Sequence, residues 1–374
     1  MNRCNRGRDD EMSSKEYVRD NGILYVGSYG ERHEPTIHVC RLDPSNGRLM
    51  ILQKMDSFDN ASFLAIHPNG TKLYAVQEVA EAGGVGGGVV AAIAIDPSTG
   101  LLGSVTSSAS TGGEHPCYVS VDAGGTAVFA ANYTGGNIAA LQLNDAGDIG
   151  KLSSLMQHVC EPGPVADRQE KPHAHCIAPM PGTNYVCAVD LGMDAIITYA
   201  YRESDGTLSK RYECKLTGGY GPRHIVFHPI LPVGYVTNEL ASSVTLMHID
   251  KENGTLAQGA TYSSIPADYD GYNDSADLHL SPDGKFLYSS NRGHQSIAVF
   301  RVDETSGELT NIQHIGGGGE QPRNFGITPD GAYVLVANQR SGTIVVFRRD
   351  PVSGKLAPAG QQLELPSPVC IRFA

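Results

Sequence analysis

The 374-residue sequence lacks tryptophan, and it lacks any run of about 18 apolar residues, the length that a membrane-spanning helix needs. Its polar, charged amino terminus also lacks the apolar segment of a signal peptide. We therefore expect a flexible tail over residues 1–20 and one domain over residues 21–374. The same absences predict a cytoplasmic protein with no membrane partner.

No C-x-x-C motif occurs, and the eight cysteines are scattered along the chain. Neither a zinc site nor a disulfide framework is expected at such spacing. In a chain without a secretion signal, free thiols in a reducing compartment are the simpler interpretation. The cysteines are Cys4, Cys40, Cys117, Cys160, Cys176, Cys187, Cys214 and Cys370.

An excess of positive charge is also missing, since the formal net charge is -12 at pH 7. This charge disfavours nucleic acid as a partner, because duplex binding needs a basic surface. A small anionic ligand remains compatible with it, because such a ligand needs only a few local arginines. The sequence contains no G-x-S-x-G motif either, so it gives no sign of a serine nucleophile of that type.

What the sequence does contain is a repeat of about 50 residues. A polar residue at the end of a strand-like run marks each copy, and a further strand and an acidic turn with glycine follow it. Asp and Gly suit the tight turn of a hairpin. Four short strands per copy, with no helical periodicity, predict an all-β propeller. The markers are Ser28, Gln77, Asn132, Asp190, Asn238, Asn291 and Asn338.

The two termini determine the number of blades. Residues 22–49 contain the middle strands of a blade without the strand that should precede them, and residues 366–373 resemble that missing strand. Six continuous blades and one blade shared by the termini give seven blades of four antiparallel strands. Such closure removes an exposed sheet edge, which would otherwise promote aggregation.

Two segments depart from the repeat. Residues 78–88 form an extra Gly-rich loop, which is either a tolerated surface insertion or a flap over the mouth of a pocket. Residues 158–171 form a long Pro-rich connection that leads into a His-rich turn. Connections of that length often line functional sites.

Polar side chains gather at the starts of the predicted innermost strands and at the markers. Equivalent positions of successive blades surround one channel, so we expect these groups to converge at one end of it as catalytic or substrate-binding residues. For Asp190 and the marker asparagines, hydrogen bonding to turn backbone is the structural alternative. The candidates are His173, His175, Arg223, His224, Glu239, Arg292, Arg323, Asn132, Asn238, Asn291 and Asn338.

The arginines and histidines indicate what this site binds. Arg223, Arg292 and Arg323 come from three blades, and guanidinium groups match phosphate or carboxylate, so an anionic ligand is expected. His173 and His175 form an H-x-H pair that could ligate a metal ion. No further metal ligand is evident, so catalysis or substrate contact is favoured for the pair, and no cofactor is predicted.

Several segments together carry a family resemblance, among them EKPHAHCI (170–177), GPRHIVFHP (221–229) and QPRNFGITPDGAYVLVANQ (321–339). With them the chain resembles the seven-bladed propeller lactonase family, which includes a bacterial 6-phosphogluconolactonase and the fungal carboxy-cis,cis-muconate cyclase. The resemblance implies a lactone ring opened by water, or the reverse cyclisation, at one end of the channel. It implicates a histidine, two arginines and a glutamate. Their matches here are His175 or its neighbour His173, with Arg223, Glu239 and Arg292.

Within that family, residues 188–192 and the Pro-His-Ala-His segment are more similar to the lactonase than to the cyclase. This implies hydrolysis of 6-phospho-D-glucono-1,5-lactone to 6-phosphogluconate in the pentose phosphate pathway. The alternatives are a carboxymuconolactone cyclase, another sugar lactonase, or a non-enzymatic propeller scaffold. The expected partner is a small anionic lactone, and the protein is expected to be a monomer or a weak homo-oligomer.

The mechanism that this function implies divides the work among the candidates. Either His175 or Glu239 is expected to activate water as the general base. Arg223 is expected to stabilise the oxyanion that forms at the lactone carbonyl. Arg292 and Arg323 are expected to hold the phosphate group.

Overall fold

The computed structural model describes residues 22–374, so the predicted tail over residues 1–20 lies outside the described part of the chain. Residues 22–374 form seven sheets of four antiparallel strands in a ring and contain no helix, which confirms the predicted propeller. The innermost strand of each blade contacts the innermost strands of both neighbouring blades. Among these residues there is accordingly no helix that could cross a membrane.

The strands of the ring have the following bounds. Blade 1 contains β1 (Ile23–Ser28), β2 (Ile37–Leu42), β3 (Leu49–Met55) and β30 (Pro368–Phe373). Blade 2 contains β4 (Leu64–Ile66), β5 (Lys72–Gln77), β8 (Val89–Ile95) and β9 (Leu102–Ser110), and the small hairpin β6 (Glu81–Ala82) and β7 (Val85–Gly86) lies between β5 and β8 in the chain. Blade 3 contains β10 (Pro116–Val121), β11 (Ala127–Asn132), β12 (Asn137–Leu143) and β13 (Ile149–Gln157).

The remaining four blades follow in chain order. Blade 4 contains β14 (Ala174–Pro179), β15 (Tyr185–Asp190), β16 (Ala195–Arg202) and β17 (Thr207–Lys215). Blade 5 contains β18 (Pro222–Phe227), β19 (Val233–Asn238), β20 (Ser243–Asp250) and β21 (Thr255–Ser263). Blade 6 contains β22 (Ser275–Leu280), β23 (Phe286–Asn291), β24 (Ser296–Val302) and β25 (Leu309–Gly316). Blade 7 contains β26 (Pro322–Ile327), β27 (Tyr333–Asn338), β28 (Thr343–Arg349) and β29 (Leu356–Glu364).

The acidic turns between the two outer strands of a blade close as their sequence indicates. In blade 7, Asp350 Oδ1 accepts a hydrogen bond of 2.7 Å from the backbone N–H of Ser353. Gly354 then adopts a φ of 73°, a left-handed conformation that glycine tolerates and other residues avoid. Local turn chemistry therefore fixes the pairing of β28 with β29.

Buried tyrosines join adjacent blades in this chain without tryptophan. The Tyr25 hydroxyl donates to the Gly100 carbonyl at 2.9 Å, and the Tyr235 hydroxyl donates to the Gly307 carbonyl at 2.7 Å. A buried phenol needs such a partner, so each bond ties the second strand of one blade to an outer turn of the next blade. The contact recurs between Tyr74 and Gly147 and between Tyr288 and Gly354.

The predicted closure by the two termini is also confirmed. β30 pairs antiparallel with β1, with Val26 opposite Ile371. Cys370 packs into the apolar core that blade 1 shares with blade 2, and Ile371 packs into the core shared with blade 7. The last strand therefore supplies apolar contacts on both of its faces as well as the edge of blade 1.

Deletion of residues 366–374 is expected to lower the melting temperature by roughly 10 °C or more and to cause aggregation. The deletion removes buried apolar side chains and exposes the edge of β1. Thermal melting followed by light scattering would measure both effects against the full chain. A truncated protein that melts with the full chain and stays monodisperse would contradict the closure.

The seven cysteines within the described residues are all free thiols, and Cys4 lies outside those residues. Six of the seven are buried. Burial raises the pKa of Cys40 and of Cys187 to about 12, so these thiols are protonated and unreactive at neutral pH.

Candidate active site

Bulges at the start of the innermost strands turn selected side chains out of the ladder. In β18, Pro222 is opposite Asn238 and His224 is opposite Thr237, so Arg223 is the extra, unpaired residue. A bulge re-aims the side chain of its extra residue, and bulges are frequent next to active sites. The equivalent residues of β10, β14, β26 and β30 are Cys117, His175, Arg323 and Val369.

The centre of the site is Glu239, a buried carboxylate held by three arginines. Its Oε2 atom lies 2.9 Å from Arg223 Nε and 2.9 Å from Arg292 Nη2, and its Oε1 atom accepts a hydrogen bond from Arg168 Nη2. Burial would raise the pKa of Glu239, but the charges of Arg292, Arg223 and Arg168 outweigh it and lower the pKa to about 2. Glu239 is therefore a carboxylate throughout the neutral range.

The two contacts at Glu239 Oε2 are close ion pairs that are poorly aligned for hydrogen bonding. The Nε atoms of Arg223 and of Arg292 are buried and have no hydrogen-bond partner within residues 22–374. Arg223 Nη2 and Arg292 Nη1 also make no hydrogen bond within residues 22–374. These terminal donors, rather than the buried Nε atoms, are the groups that an anionic ligand can satisfy. The cluster therefore keeps unused capacity for an anion.

Arg223 is the most buried of the three, since only 3% of its side chain is exposed. Its Nη1 donates to the carbonyl of Ala276 at 2.8 Å. Burial lowers the pKa of Arg223 to about 10, and the nearby charges of Arg323 and Arg292 act in the same direction. The guanidinium is still charged at neutral pH, in a place where it is poorly solvated.

His175 lies beside this cluster as a neutral imidazole. Burial holds its pKa well below the usual value, and the charges of Arg223, His224 and Arg323 add to that shift. Its Nδ1 lies 3.6 Å from the Cys117 thiol. Its Nε2 makes no hydrogen bond among the described residues, so a neutral nitrogen is left to act on a ligand.

His173 is fully engaged by its surroundings. Its ring stacks on Tyr133 with centroids 4.5 Å apart, Nδ1 lies 3.1 Å from the Tyr133 carbonyl, and Nε2 lies 3.0 Å from Glu170 Oε1. The Tyr133 ring also meets His175 edge-on at 5.4 Å. Residues 22–374 contain no cluster of three or more side chains suited to a metal ion.

His224 belongs to a buried network that supports Arg223. Its Nδ1–H donates to Asp277 Oδ1 at 2.8 Å, which leaves Nε2 to accept from Arg223 Nη1 at 3.1 Å. Asp277 Oδ2 also accepts from His279 Nε2 at 2.9 Å and from the amide of Asn324. Burial, followed by the charge of Arg223, lowers the pKa of His224 to about 3, so this imidazole stays neutral. His224 therefore orients Arg223.

Arg323 reaches the site from blade 7 and is linked to the Gly-rich loop. Its Nη2 donates to the Tyr29 hydroxyl at 3.0 Å, and that hydroxyl donates to Glu78 Oε2 at 3.0 Å. Burial opposes its charged form, but Tyr29, Glu78 and Glu239 outweigh burial and raise the pKa of Arg323. Its Nη1 makes no hydrogen bond within the described chain and remains available to a ligand.

The four marker asparagines make the contacts that the structural alternative predicts. All four side chains are fully buried, and each amide holds the ends of neighbouring strands together. Asn238 Nδ2, for example, donates to Thr245 Oγ1 at 2.8 Å. The other bonds join Asn132 to Asn137, Asn291 to the Ser264 carbonyl, and Asn338 to the Gly317 carbonyl. The Asp190 carboxylate likewise accepts hydrogen bonds from His158 Nδ1 and from the backbone N–H of His173.

Sequence reasoning missed three residues of this site. Arg168 lies in the long Pro-rich connection, but nothing in the sequence of that segment singles out one side chain. Asp277 stands three residues into an innermost strand, where a lone carboxylate resembles a surface residue. Tyr29 directly follows the marker Ser28, and its contact with Arg323 joins residues almost 300 positions apart.

Comparisons with known proteins agree with this architecture. The family model described as "Lactonase, 7-bladed beta-propeller" matches residues 23–373. The chain is 34% identical over 351 residues to a 6-phosphogluconolactonase of Bacillus subtilis, covering 94% of this chain and 98% of that protein. It is 36% identical over 310 residues to a 6-phosphogluconolactonase of Formosa agariphila, covering 81% of this chain and 86% of the relative.

A solved structure leads to the same conclusion. The periplasmic gluconolactonase of Pseudomonas aeruginosa superposes with a TM-score of 0.87 at 32% identity, over 94% of this chain and 98% of that one. These matches set aside the alternative of a non-enzymatic scaffold, and they support lactonase activity. The chain belongs to the seven-bladed β-propeller lactonase family.

Proposed function

We propose that this protein hydrolyses 6-phospho-D-glucono-1,5-lactone to 6-phosphogluconate. The observation that carries the proposal is the cluster of Arg168, Arg223 and Arg292 on the buried Glu239, with a neutral His175 beside it. Such a site can bind an anionic ester and polarise its carbonyl. The names of the Bacillus and Formosa relatives support the choice of lactone.

His175 is the general base of this proposal. A base must be unprotonated to accept a proton from water, and the lowered pKa of His175 keeps it so at neutral pH. Its Nε2 takes the proton while the water oxygen attacks the lactone carbonyl. The same proton can then be returned to the ring oxygen as the ester C–O bond breaks.

Arg223 stabilises the negative charge that develops on the carbonyl oxygen. It is buried and positioned by Ala276 and His224, so it needs little reorganisation as the charge forms. Its Nη2 makes no hydrogen bond in the described part of the chain and can point to the oxyanion.

Glu239 is proposed here as the anchor of the arginines, which departs from the sequence-based option of a general base. Both of its carboxylate oxygens already face arginines, so neither is left free to take a proton from water. Its charge instead offsets the mutual repulsion of Arg168, Arg223 and Arg292.

The phosphate group of the substrate is assigned to Arg292 and Arg323. Each has N–H groups without a hydrogen-bond partner within residues 22–374. Arg223 belongs to blade 5, whereas Arg292 comes from blade 6 and Arg323 from blade 7. Guanidinium groups bind phosphate through paired, charge-assisted hydrogen bonds.

Arg323→Ala is expected to raise KM for the phosphorylated lactone by about 10- to 100-fold and to change kcat little. The contact is present equally in the ground and transition states, so its loss weakens binding alone. The penalty should shrink on unphosphorylated glucono-1,5-lactone. Steady-state kinetics on both lactones measure this, with the exposed Arg202→Ala as the matched control. An equal loss of kcat on both substrates would contradict the assignment of the phosphate to Arg323.

The second candidate is a lactonase for an unphosphorylated sugar lactone, since the Pseudomonas relative is named a gluconolactonase. Cyclisation of a carboxylated muconate is the third. Relative kcat/KM on the three substrates separates them. A cytoplasmic location within the pentose phosphate pathway belongs to this proposal, and fractionation of cells tests it.

A further inference from the structure

Arg168 is carried by the long connection between β13 and β14, residues 158–173. Its Nη2 donates to Glu239 Oε1, and its Nη1 lies 3.7 Å from Asp274 Oδ2, beyond hydrogen-bond distance. Burial, followed by the charge of Glu239, raises the pKa of Tyr133, and the neighbouring Arg168 opposes that rise. The connection therefore brings one cation to the Glu239 carboxylate.

This placement depends on the residue next to it. Gln169 is fully buried in a surface connection, and its Nε2 donates to the Leu191 carbonyl at 2.9 Å. The Gly163 N–H donates to the Gln169 carbonyl at 2.8 Å, and the Arg168 N–H donates to the Val165 carbonyl at 3.0 Å. These bonds fasten the backbone on both sides of Arg168. A hydrogen-bonded turn thus holds the Arg168 guanidinium over the site.

Arg168 is also the most accessible of the arginines on Glu239. Its side chain is 28% exposed, against 11% for Arg292 and 3% for Arg223. Asp274, its second carboxylate neighbour, is 14% exposed. Tyr272 is 73% exposed, and its hydroxyl donates to Asp274. Arg168 therefore belongs to the outer rim of the cluster, where a substrate arrives.

We propose that Arg168 is a specificity-determining residue that selects lactones carrying a phosphate group remote from the ring carbonyl. The inference rests on the proposed function and adds a residue to it. Arg223 is committed to the carbonyl deeper in the site, so a phosphate at the opposite end of the substrate extends toward the rim. Nη2 can stay on Glu239 while Nη1, which faces Asp274 Oδ2 only at 3.7 Å, binds a phosphate oxygen.

The electrostatics of the rim favour a dianion over a neutral hydroxymethyl group. The positive charges of Arg168 and Arg292 are balanced by only two carboxylates, Glu239 and Asp274. Glu239 also balances the charge of Arg223. A phosphate therefore meets cations that are incompletely neutralised. An unphosphorylated sugar lactone has no charge to use there, so it gains little from Arg168.

Arg168→Ala is the test, measured as kcat/KM on 6-phosphogluconolactone and on glucono-1,5-lactone. We expect a fall of about 10- to 100-fold on the phosphorylated lactone, mainly through KM, and a change of less than about threefold on the other. Arg168→Lys should recover part of the loss, because it keeps the charge without the planar fork. Lys171→Ala is the matched control, since Lys171 is a cation of the same connection that bonds the Thr134 carbonyl. It should change both values by less than about twofold.

Calorimetric titration with 6-phosphogluconate and with gluconate gives a second readout that needs no turnover. The wild-type chain should prefer 6-phosphogluconate, and Arg168→Ala should lose that preference. Equal losses on both lactones, or an unchanged preference in Arg168→Ala, would overturn the assignment. If the wild-type chain hydrolyses neither lactone, the proposed function fails. The titration then still decides the role of Arg168.

Discussion

His175→Ala is expected to lower kcat by about 10²- to 10⁴-fold on phosphorylated and unphosphorylated lactones alike. The substitution removes the only proposed proton acceptor and leaves the arginines that bind the substrate in place. KM should therefore change much less than kcat. Steady-state kinetics on the two lactones, corrected for spontaneous hydrolysis, measure the effect.

His173→Ala is the control for this result, because it removes a neighbouring imidazole that stacks on Tyr133 and is already bonded to Glu170. It should retain most of the wild-type kcat. If His173→Ala lost activity and His175→Ala kept it, the base would have been assigned to the wrong histidine.

The pH dependence of the reaction should show the low pKa of His175. A general base works above its pKa, and burial holds the pKa of His175 well below the usual value. The value of kcat/KM should therefore stay level as the pH falls through the ordinary histidine range near about 6.5, and decline only at lower pH. A decline centred on the ordinary value would indicate a solvated histidine.

Glu239→Gln is expected to destabilise the fold by about 3–5 kcal/mol and to abolish most activity. The substitution leaves the buried Arg223 and Arg292, with Arg168 at the rim beside them, close together without their shared anion. The loss of activity follows because Glu239 positions the arginines that are proposed to contact the substrate. Thermal melting and denaturant unfolding measure the stability, and Glu170→Gln is the control because Glu170 is half exposed.

Acid unfolding gives an independent check on Glu239. Its pKa is about 2 in the folded protein against an ordinary value of 4.5, so the folded state binds the proton less readily than the unfolded state. Its stabilisation is fully present above pH 4.5 and is lost as the pH falls toward 2. Glu239→Gln should lack this part of the acid dependence. If it melted with the wild-type protein and lost only kcat, Glu239 would be the base.

The fold could be predicted from the sequence because its signals are local and repeated. The turn at Asp350 to Gly354 needs no distant partner, and copies of that turn set the length of each blade. Closure could be predicted as well, because the half-blade at 22–49 and the strand at 366–373 are each incomplete alone.

The site could be predicted only in part. Arg223, Arg323 and His175 share one position in the repeat, so their convergence follows from the symmetry of the ring. Arg168 belongs to a connection outside the repeat, and its contact with Glu239 spans 71 residues. The marker asparagines show a different limit, because a repeated polar residue gives the same sequence signal whether it faces a ligand or holds the end of a strand.

The most direct test of the central claim is the initial rate of 6-phosphogluconolactone hydrolysis by the full chain, corrected for the spontaneous reaction. We expect a rate that is proportional to the enzyme concentration, and a kcat/KM at least about tenfold above that for glucono-1,5-lactone. A rate equal to the spontaneous one, or acceleration of the unphosphorylated lactone alone, would contradict it.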